Sequence, residues 1–296
     1  MQKDTIIYVT DQRQKYLADM LNGEKESCHG DKIRDYARIG NIIFPTPFSK
    51  LRLSDDEIEK LKQNIIKHDI AVWGGVMPEC FPGVDKGGDF MRDEQVIMEN
   101  AVVTAEAVIS IAVQKSLYSI ERSKVLVCGF GRCGRALAAR FKALGADVMV
   151  MARRKEVREA ARQQGYEAVG FDEAAKACFN TRILINTVPA QVIDENIIRL
   201  LLKDTLMIDI ASKPGGCDFE AAKRYRINCV HALGLPGIYC PKTSAGIFLE
   251  YLKRKGMEDA LWILEIAREE WELQVLSAAL AKQRKQPGHL LQNAKK

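Results

Sequence analysis

Residues 124–154 read KVLVCGFGRCGRALAARFKALGADVMVMARR. This stretch constrains the fold more than any other. It reads as strand, glycine turn, helix and second strand, in that order. Gly129, Gly131 and Gly134 fall in the spacing G-x-G-x-x-G. The spacing alone is a weak signal, but a strand before it and a helix after it supply the context that gives it meaning. Gly129 permits the tight turn, Gly131 lets the backbone approach a pyrophosphate, and Gly134 lets helix and strand pack closely. The helix N-terminus then offers free N–H groups and the positive end of its dipole to phosphate. The loop Gly129, Phe130, Gly131, Arg132, Cys133 and Gly134 is therefore the candidate cradle for a dinucleotide.

The end of the second strand bears on which dinucleotide. An acid is usual there, to hold a ribose 2′-hydroxyl. The chain instead has Ala152, Arg153, Arg154 and Lys155. Arginine grips a phosphate bidentately and stacks on a base. This pattern predicts NADP over NAD, with NAD as the alternative.

Around this unit the chain alternates strand and helix, which predicts an α/β fold with parallel sheets. Residues 5–10 and 70–75 read as strands. Asp11 is a candidate N-cap, and Ser54 with Glu57 forms a capping box. Residues 182–190, 205–216 and 227–237 read as three further strands, each ending in a turn. We expect a smaller, flavodoxin-like α/β domain over 1–99 and a buried linker helix within 100–123. A doubly wound Rossmann sheet over 124–250 follows. The amphipathic stretch 257–282 reads as a long helix returning to the first domain, and 283–296 as a flexible basic tail.

Composition excludes several classes. The formal net charge is +5, but the last sixteen residues carry five lysines and arginines and no acid, which accounts for the whole excess. A neutral remainder argues against nucleic-acid binding. The eight cysteines form no CxxC pair, so we read them as reduced, apolar-packing thiols and expect no metal. The opening residues carry no secretory pattern, and no apolar run reads as a membrane span. The expectation is a soluble cytoplasmic protein.

Three turns fall at the carboxyl ends of the later strands, where ligands of open α/β sheets bind. They are NTVP (186–189), ASKPGG (211–216) and GLPGIYCPKTSAG (234–246). Asn186, Thr187, Val188, Pro189 and Ser212 are candidate cofactor contacts. Lys213 and Lys242 are the rim cations, suited to an anionic substrate. Thr243 and Ser244 are candidate caps of the following helix, whose N-terminus is a second carboxylate site. His231 lies just upstream.

At these residues the chain resembles the dipicolinate synthase A family. The resemblance rests on GFGRCG, INTVP, IDIASKPGG, DFEAAK and GLPGIYCPKTSAG. The last motif departs from the family only at small residues, Cys240 and Ser244. In the first domain the chain keeps Asp11 and Arg13 but lacks the family's paired glycines. In a later motif it keeps Asn100, Thr104 and Glu106, with Val103 and Ala107 where the family has proline and glycine. The resemblance implies oxidation of dihydrodipicolinate, a lysine-pathway intermediate, to dipicolinate in sporulating bacteria, with a nicotinamide, NADP or NAD, as the electron acceptor. For such a dicarboxylate, Lys242, Thr243, Ser244, Thr104, Arg13 and Lys213 are the candidate contacts and Lys242, Glu106 and His231 the catalytic candidates; the alternative is that the imine tautomerises in water and no dedicated base is needed. The resemblance also implies a flavoprotein-like partner, dipicolinate synthase B, a homo-oligomer, and a mother-cell setting. Two alternatives stay open: a two-domain dehydrogenase of another small 2-oxo, 2-hydroxy or amino acid, and a non-catalytic NADP-binding protein.

Overall fold

The computed structural model describes residues 3–21, 24–29, 35–257 and 262–267. In chain order the elements are β1 (Asp4–Val9), α1 (Gln12–Met20), β2 (Glu24–His29), β3 (Ile39–Ile43), α2 (Asp55–His68), β4 (Ala71–Gly74) and β5 (Gly88–Asp89). Then come α3 (Glu94–Lys115), β6 (Lys124–Cys128), α4 (Arg132–Ala143), β7 (Asp147–Met151), α5 (Lys155–Gln163), β8 (Glu167–Val169), α6 (Ala174–Cys178) and β9 (Thr181–Asn186). The series closes with α7 (Glu195–Ile198), β10 (Leu206–Asp209), α8 (Phe219–Arg224), β11 (Asn228–His231), α9 (Leu235–Tyr239), α10 (Pro241–Arg254) and β12 (Trp262–Ala267). The chain divides into two compact units, Met1–Asp93 with Phe248–Lys296, and Glu94–Ile247.

The first unit is a parallel sheet in the order β2-β12-β1-β3-β4-β5. Asp11 caps α1, accepting from the N–H groups of Arg13 and Gln14. Ser54 and Glu57 form the reciprocal capping box that starts α2. The helix expected over 257–282 is corrected at its start: Trp262–Ala267 is a strand, paired in parallel with β1 on one side and β2 on the other. Its sequence WILEIA is short and apolar, and such a run fits either period. Two neighbouring strands supply its backbone partners, so pairing decides. The rest of that expected helix and the basic tail lie outside the described residues. The chain has already entered the first unit before that strand, through the second half of α10. There Phe248 stacks on Phe90 with ring centroids 4.2 Å apart, and Tyr251 meets Trp73 edge to face at 6.2 Å.

The second unit is a parallel sheet in the order β11-β10-β9-β6-β7-β8, which is the doubly wound Rossmann order. Successive residues point to opposite faces. Val125, Val127, Val148, Val150, Ile183 and Ile185 face one core, with Leu137 and Phe141 of α4 and Val108 and Ile111 of α3. Leu126, Cys128, Met149, Met151 and Leu184 face the other, with Ile197, Ile198 and Ala221. The helix expected as a linker over 100–123 runs over Glu94–Lys115 and packs into this unit's core. It is long and apolar enough to cross a membrane, and half of its apolar window is buried within the fold.

Candidate functional site

The order of the sheet changes direction between β6 and β9, and the glycine loop lies at that point. The three glycines do different work. Gly129 has φ +91, in the left-handed region, and an added Cβ would meet Thr187 Oγ1 at 2.5 Å. Gly134 lies where a Cβ would meet the backbone oxygen of Gly129 at 2.3 Å. Both are therefore required by the fold itself. Gly131 is not: its φ is −77 and an added Cβ would have nothing within 4 Å. A glycine with an ordinary φ and no crowding has no packing role. It keeps the backbone bare for something that approaches closely, as a pyrophosphate does.

Around Gly131 the loop is already fixed. The first helical bond of α4 runs from Arg135 N–H to Gly131 O (2.9 Å), so the N–H groups of Arg132, Cys133 and Gly134 point out of the helix start. Arg132 does not reach freely outward. Its guanidinium donates to both carboxylate oxygens of Glu94, at 2.8 and 2.5 Å, and ties α4 to the start of α3. Phe130 is buried, against Tyr166 and beneath Arg135, so it offers only backbone. Burial raises the Cys133 thiol pKa, and by the same cause takes that of Cys178 to about 11. Both stay protonated at neutral pH.

At the end of β7, Ala152 is buried while Arg153 and Arg154 are exposed. Arg158 pins this corner, donating to the carbonyls of Ala152 (2.9 Å) and Arg153 (2.6 Å). The described residues that follow this strand, Ala152, Arg153, Arg154 and Lys155, include no acid.

The NTVP and ASKPGG turns are held together by a residue that the motif reading missed. Asp209, at the end of β10, is fully buried. One carboxylate oxygen accepts from Asn186 Nδ2 (2.9 Å) and Ala211 N–H (3.0 Å). The other accepts from Gly216 N–H (2.7 Å) and Cys217 N–H (3.1 Å). Asn186 is also buried and bonds both ways with Val188. Its amide is spent inside the fold, so it supports the loop carrying Thr187, Val188 and Pro189. Thr187 donates from Oγ1 to Cys128 O at 2.9 Å. Ser212 and Lys213 are exposed on the ASKPGG turn. His231 is half-buried, its Nε2 bonded to Ala211 O (3.0 Å) and its ring against Phe219. That bond ties it to the same turn.

GLPGIYCPKTSAG is not an open loop. Gly234, at φ 65, caps α9, and α10 follows at once from Pro241. Proline at the first helical position is favoured because its missing N–H costs nothing there. Thr243 and Ser244 consequently lie inside the helix and do not cap it. Lys242 and Thr243 are exposed. Ser244 is fully buried and its hydroxyl donates to Asn100 Oδ1 of α3 at 3.4 Å. Thr104 bonds back to Asn100 O (2.8 Å). Glu106 is exposed; burial first, and then the charge of Glu106, raise the nearby Cys240 thiol. The structure thus brings Asn100 of α3 to the first turn of α10 and Glu106 near Cys240 at the α9–α10 junction, while the Thr104 hydroxyl bonds within its own helix.

Arg13 belongs to the first unit and is 6% exposed. It donates to Thr46 O (2.5 Å) and lies over the Phe248 ring at 4.8 Å. Burial lowers its pKa, partly offset by Asp11. These contacts occupy it in the packing of its own unit.

The strand order, the switch point and the bare Gly131 define a Rossmann dinucleotide-binding unit of the NAD(P)-dependent oxidoreductase type. Residues 95–211 match the family described as D-isomer specific 2-hydroxyacid dehydrogenase, NAD binding domain. Over a longer stretch the chain is similar to one particular protein, the A-subunit of dipicolinate synthase. That of Bacillus subtilis (strain 168) is 36% identical over 165 residues, 56% of this chain and 55% of the relative. The match thus spans about half the length of that relative. The crystal structure of the Bacillus halodurans A-subunit superposes with a TM-score of 0.72 at 27% identity, covering 86% of this chain and 98% of that one. The Bacillus subtilis A chain gives 0.69 at 26% identity, covering 86% and 95%.

Proposed function

We propose that this protein oxidises dihydrodipicolinate to dipicolinate, with NADP preferred to NAD. The observation that carries this reading is the meeting of two motifs far apart in sequence. Asn100 and Glu106 come to the start of α10, where Lys242 and Thr243 are exposed in the same unit as the glycine loop. The motif at α10 is the most specific of those on which the resemblance to dipicolinate synthase A rests, and the motif on α3 keeps three of that family's residues while departing from it at Val103 and Ala107.

The loop Gly129–Gly134 and the start of α4 would hold the pyrophosphate, with Arg153 and Arg154 on a 2′-phosphate and Thr187–Pro189 beside the nicotinamide. When bound, the nicotinamide supplies the acceptor for a hydride. The chain's own residues do the rest. Lys242 and the N–H groups at the start of α10 bind one carboxylate of the substrate and orient its ring. Lys213, on the neighbouring turn, adds positive charge for the second. Glu106 is the group that takes up a proton from the ring as it becomes aromatic. His231 holds the ASKPGG turn rather than a proton in transit. Because the product is aromatic, orientation is the main demand on the protein.

Supplying freshly made dihydrodipicolinate with NADP or NAD, with and without a flavoprotein-like partner, tests the reading. Dipicolinate should form well above the spontaneous rate in at least one combination; the spontaneous rate in all of them would end it. The relatives' designation as one subunit of a synthase supports a partner subunit; the flavoprotein-like character of that partner and the mother-cell cytoplasm as its setting are part of the proposal. Lys242→Ala should raise KM roughly tenfold or more, as expected for a lost charged hydrogen bond, while leaving the cofactor Kd within about twofold. Replacing Arg153 and Arg154 together by Gln should weaken NADPH binding about tenfold or more and NADH binding little. Fluorescence titration of the nicotinamide reads both, and equal weakening would remove the 2′-phosphate assignment. The rival reading, a two-domain dehydrogenase of a small 2-oxo, 2-hydroxy or amino acid, generally uses a histidine paired with a carboxylate or with a lysine. His231 has a backbone carbonyl and a phenyl ring as neighbours instead.

A further inference from the structure

We propose that Cys217 and Cys229 are a reversible dithiol–disulfide pair, closed by a peroxide, and that closing it loosens the ASKPGG turn and weakens dinucleotide binding. This is independent of which acid the protein oxidises. The two segments that carry the pair run side by side. Cys229 lies in β11, the edge strand, opposite Met207 of β10, and His231 lies opposite Asp209. Cys217 follows the ASKPGG turn, and its N–H donates to the Asp209 carboxylate at 3.1 Å. Two residues further along each segment, Phe219 meets His231 with ring centroids 5.0 Å apart. The same register sets Cys217 against Cys229. Both pack in the core beneath α8, both are free thiols, and the Cys217 thiol is hydrogen-bonded with Cys229.

A single buried cysteine serves as a small apolar side chain. Two in contact across separate segments can also be joined, and these two are suited to different steps. Cys217 is 6% exposed, whereas Cys229 is half-buried. The hydrogen bond to Cys229, then burial, then the Asp209 charge raise the Cys217 thiol well above its ordinary range, so it keeps its proton. Oxidation follows exposure, so the peroxide meets Cys229 first. The Cys229 sulfur takes the terminal peroxide oxygen, the O–O bond breaks, and the thiol proton leaves on the other oxygen as water or an alcohol. The Cys217 sulfur then displaces hydroxyl from the Cys229 sulfenic acid. The S–S bond forms, the S–O bond breaks, and the Cys217 proton leaves with the hydroxyl as water. The thiols are oxidised by two electrons, and the peroxide is reduced by two.

A disulfide holds its sulfurs closer than a hydrogen bond does, so Cys217 is drawn toward the edge strand. Of the four bonds to the Asp209 carboxylate, that from the Cys217 N–H is the longest, at 3.1 Å against 2.7 to 3.0 Å for the others. It gives first. The neighbouring Gly216 and the ASKPGG turn are then held less firmly beside the NTVP loop, which shares the same carboxylate through Asn186.

The test treats the full chain with hydrogen peroxide or with dithiothreitol, alkylates it, and maps the unreduced peptides by mass spectrometry. Each form is then titrated with NADPH and with NADH by fluorescence. Peroxide should yield a peptide pair linked through Cys217 and Cys229, and should raise the Kd of the tighter-binding dinucleotide about tenfold, as for one lost charged hydrogen bond. Dithiothreitol should reverse both. In Cys229→Ser, peroxide should leave the Kd unchanged, which separates this pair from exposed thiols such as Cys80. The map needs no variant, so it decides on the pair even if Cys229→Ser folds poorly. Cys217 and Cys229 found separately alkylated after peroxide would overturn the proposal. So would a linked pair with an unchanged Kd, or a loss of affinity that persists in Cys229→Ser.

Discussion

Gly131→Ala is expected to leave the melting temperature within about 2 °C of wild type and to weaken NADP(H) binding by roughly a hundredfold. Gly134→Ala, three residues away, is expected to do the reverse in order of cause: unfold first, and lose the cofactor as a result. The contrast follows from what each added methyl meets. At Gly131 the φ of −77 suits any residue and nothing lies within 4 Å. Substituting alanine for a glycine whose φ it tolerates is neutral to stabilising, by about 0.4–1 kcal/mol, through the unfolded chain. At Gly134 the methyl would lie 2.3 Å from the Gly129 carbonyl oxygen. That atom is backbone and cannot swing aside, so helix and loop must separate. Overpacking of this kind costs typically about 1–3 kcal/mol. For a chain of this size that lowers the melting temperature by several degrees, at about 2–4 °C per kcal/mol. A thermal melt and a fluorescence titration on each variant separate the two effects. If Gly131→Ala bound NADPH as tightly as wild type, the loop would be a packing turn and the cofactor assignment would fall with it.

The same three glycines explain what was legible in the sequence. Their spacing encodes backbone requirements, and backbone requirements are local. The Rossmann unit is readable for that reason, as is the capping box at Ser54 and Glu57, whose partners lie three residues apart. Contacts across long separations are not. Ser244 reaches Asn100 across 144 residues, so a hydroxyl next to an exposed lysine looks like a cap when it is a buried tie between helices. Arg132 looks like a phosphate contact because it sits in the glycine loop, and no local rule says that Glu94 holds it. The stretch WILEIA shows the limit of periodicity. It carries a helical pattern in a long window, and only the open position between β1 and β2 makes it a strand. Asp209 carries a signal of a different kind. An acid inside the apolar strand LMID, where both faces of a doubly wound sheet are covered, must find donors. The glycines that follow, Gly215 and Gly216, are there because its carboxylate and Asn186 leave no room for a side chain.

Asp209→Ala is therefore expected to be the most destabilising single change in the second unit. The carboxylate accepts from four donors, Asn186 Nδ2 and the N–H groups of Ala211, Gly216 and Cys217. Removing it strands all four in the interior. Losing one side of a buried charged network costs roughly 3–5 kcal/mol, which corresponds to a fall in melting temperature of about 10 °C. Asp209→Asn keeps the volume but turns an –NH2 toward backbone N–H groups, so it should lose about half as much. The effect should not stop at stability. Asn186 would lose one of its two partners, so the loop of Thr187, Val188 and Pro189 would be held less firmly, while the ASKPGG turn would be freed from the same carboxylate. NADP(H) binding should weaken at temperatures where the variant is still folded, although Asp209 is too deeply buried to touch a ligand. A melt together with a titration well below the transition measures both. A variant that melts like wild type, or that melts early but binds the cofactor with full affinity while folded, would show that the two turns are positioned by something other than this buried carboxylate.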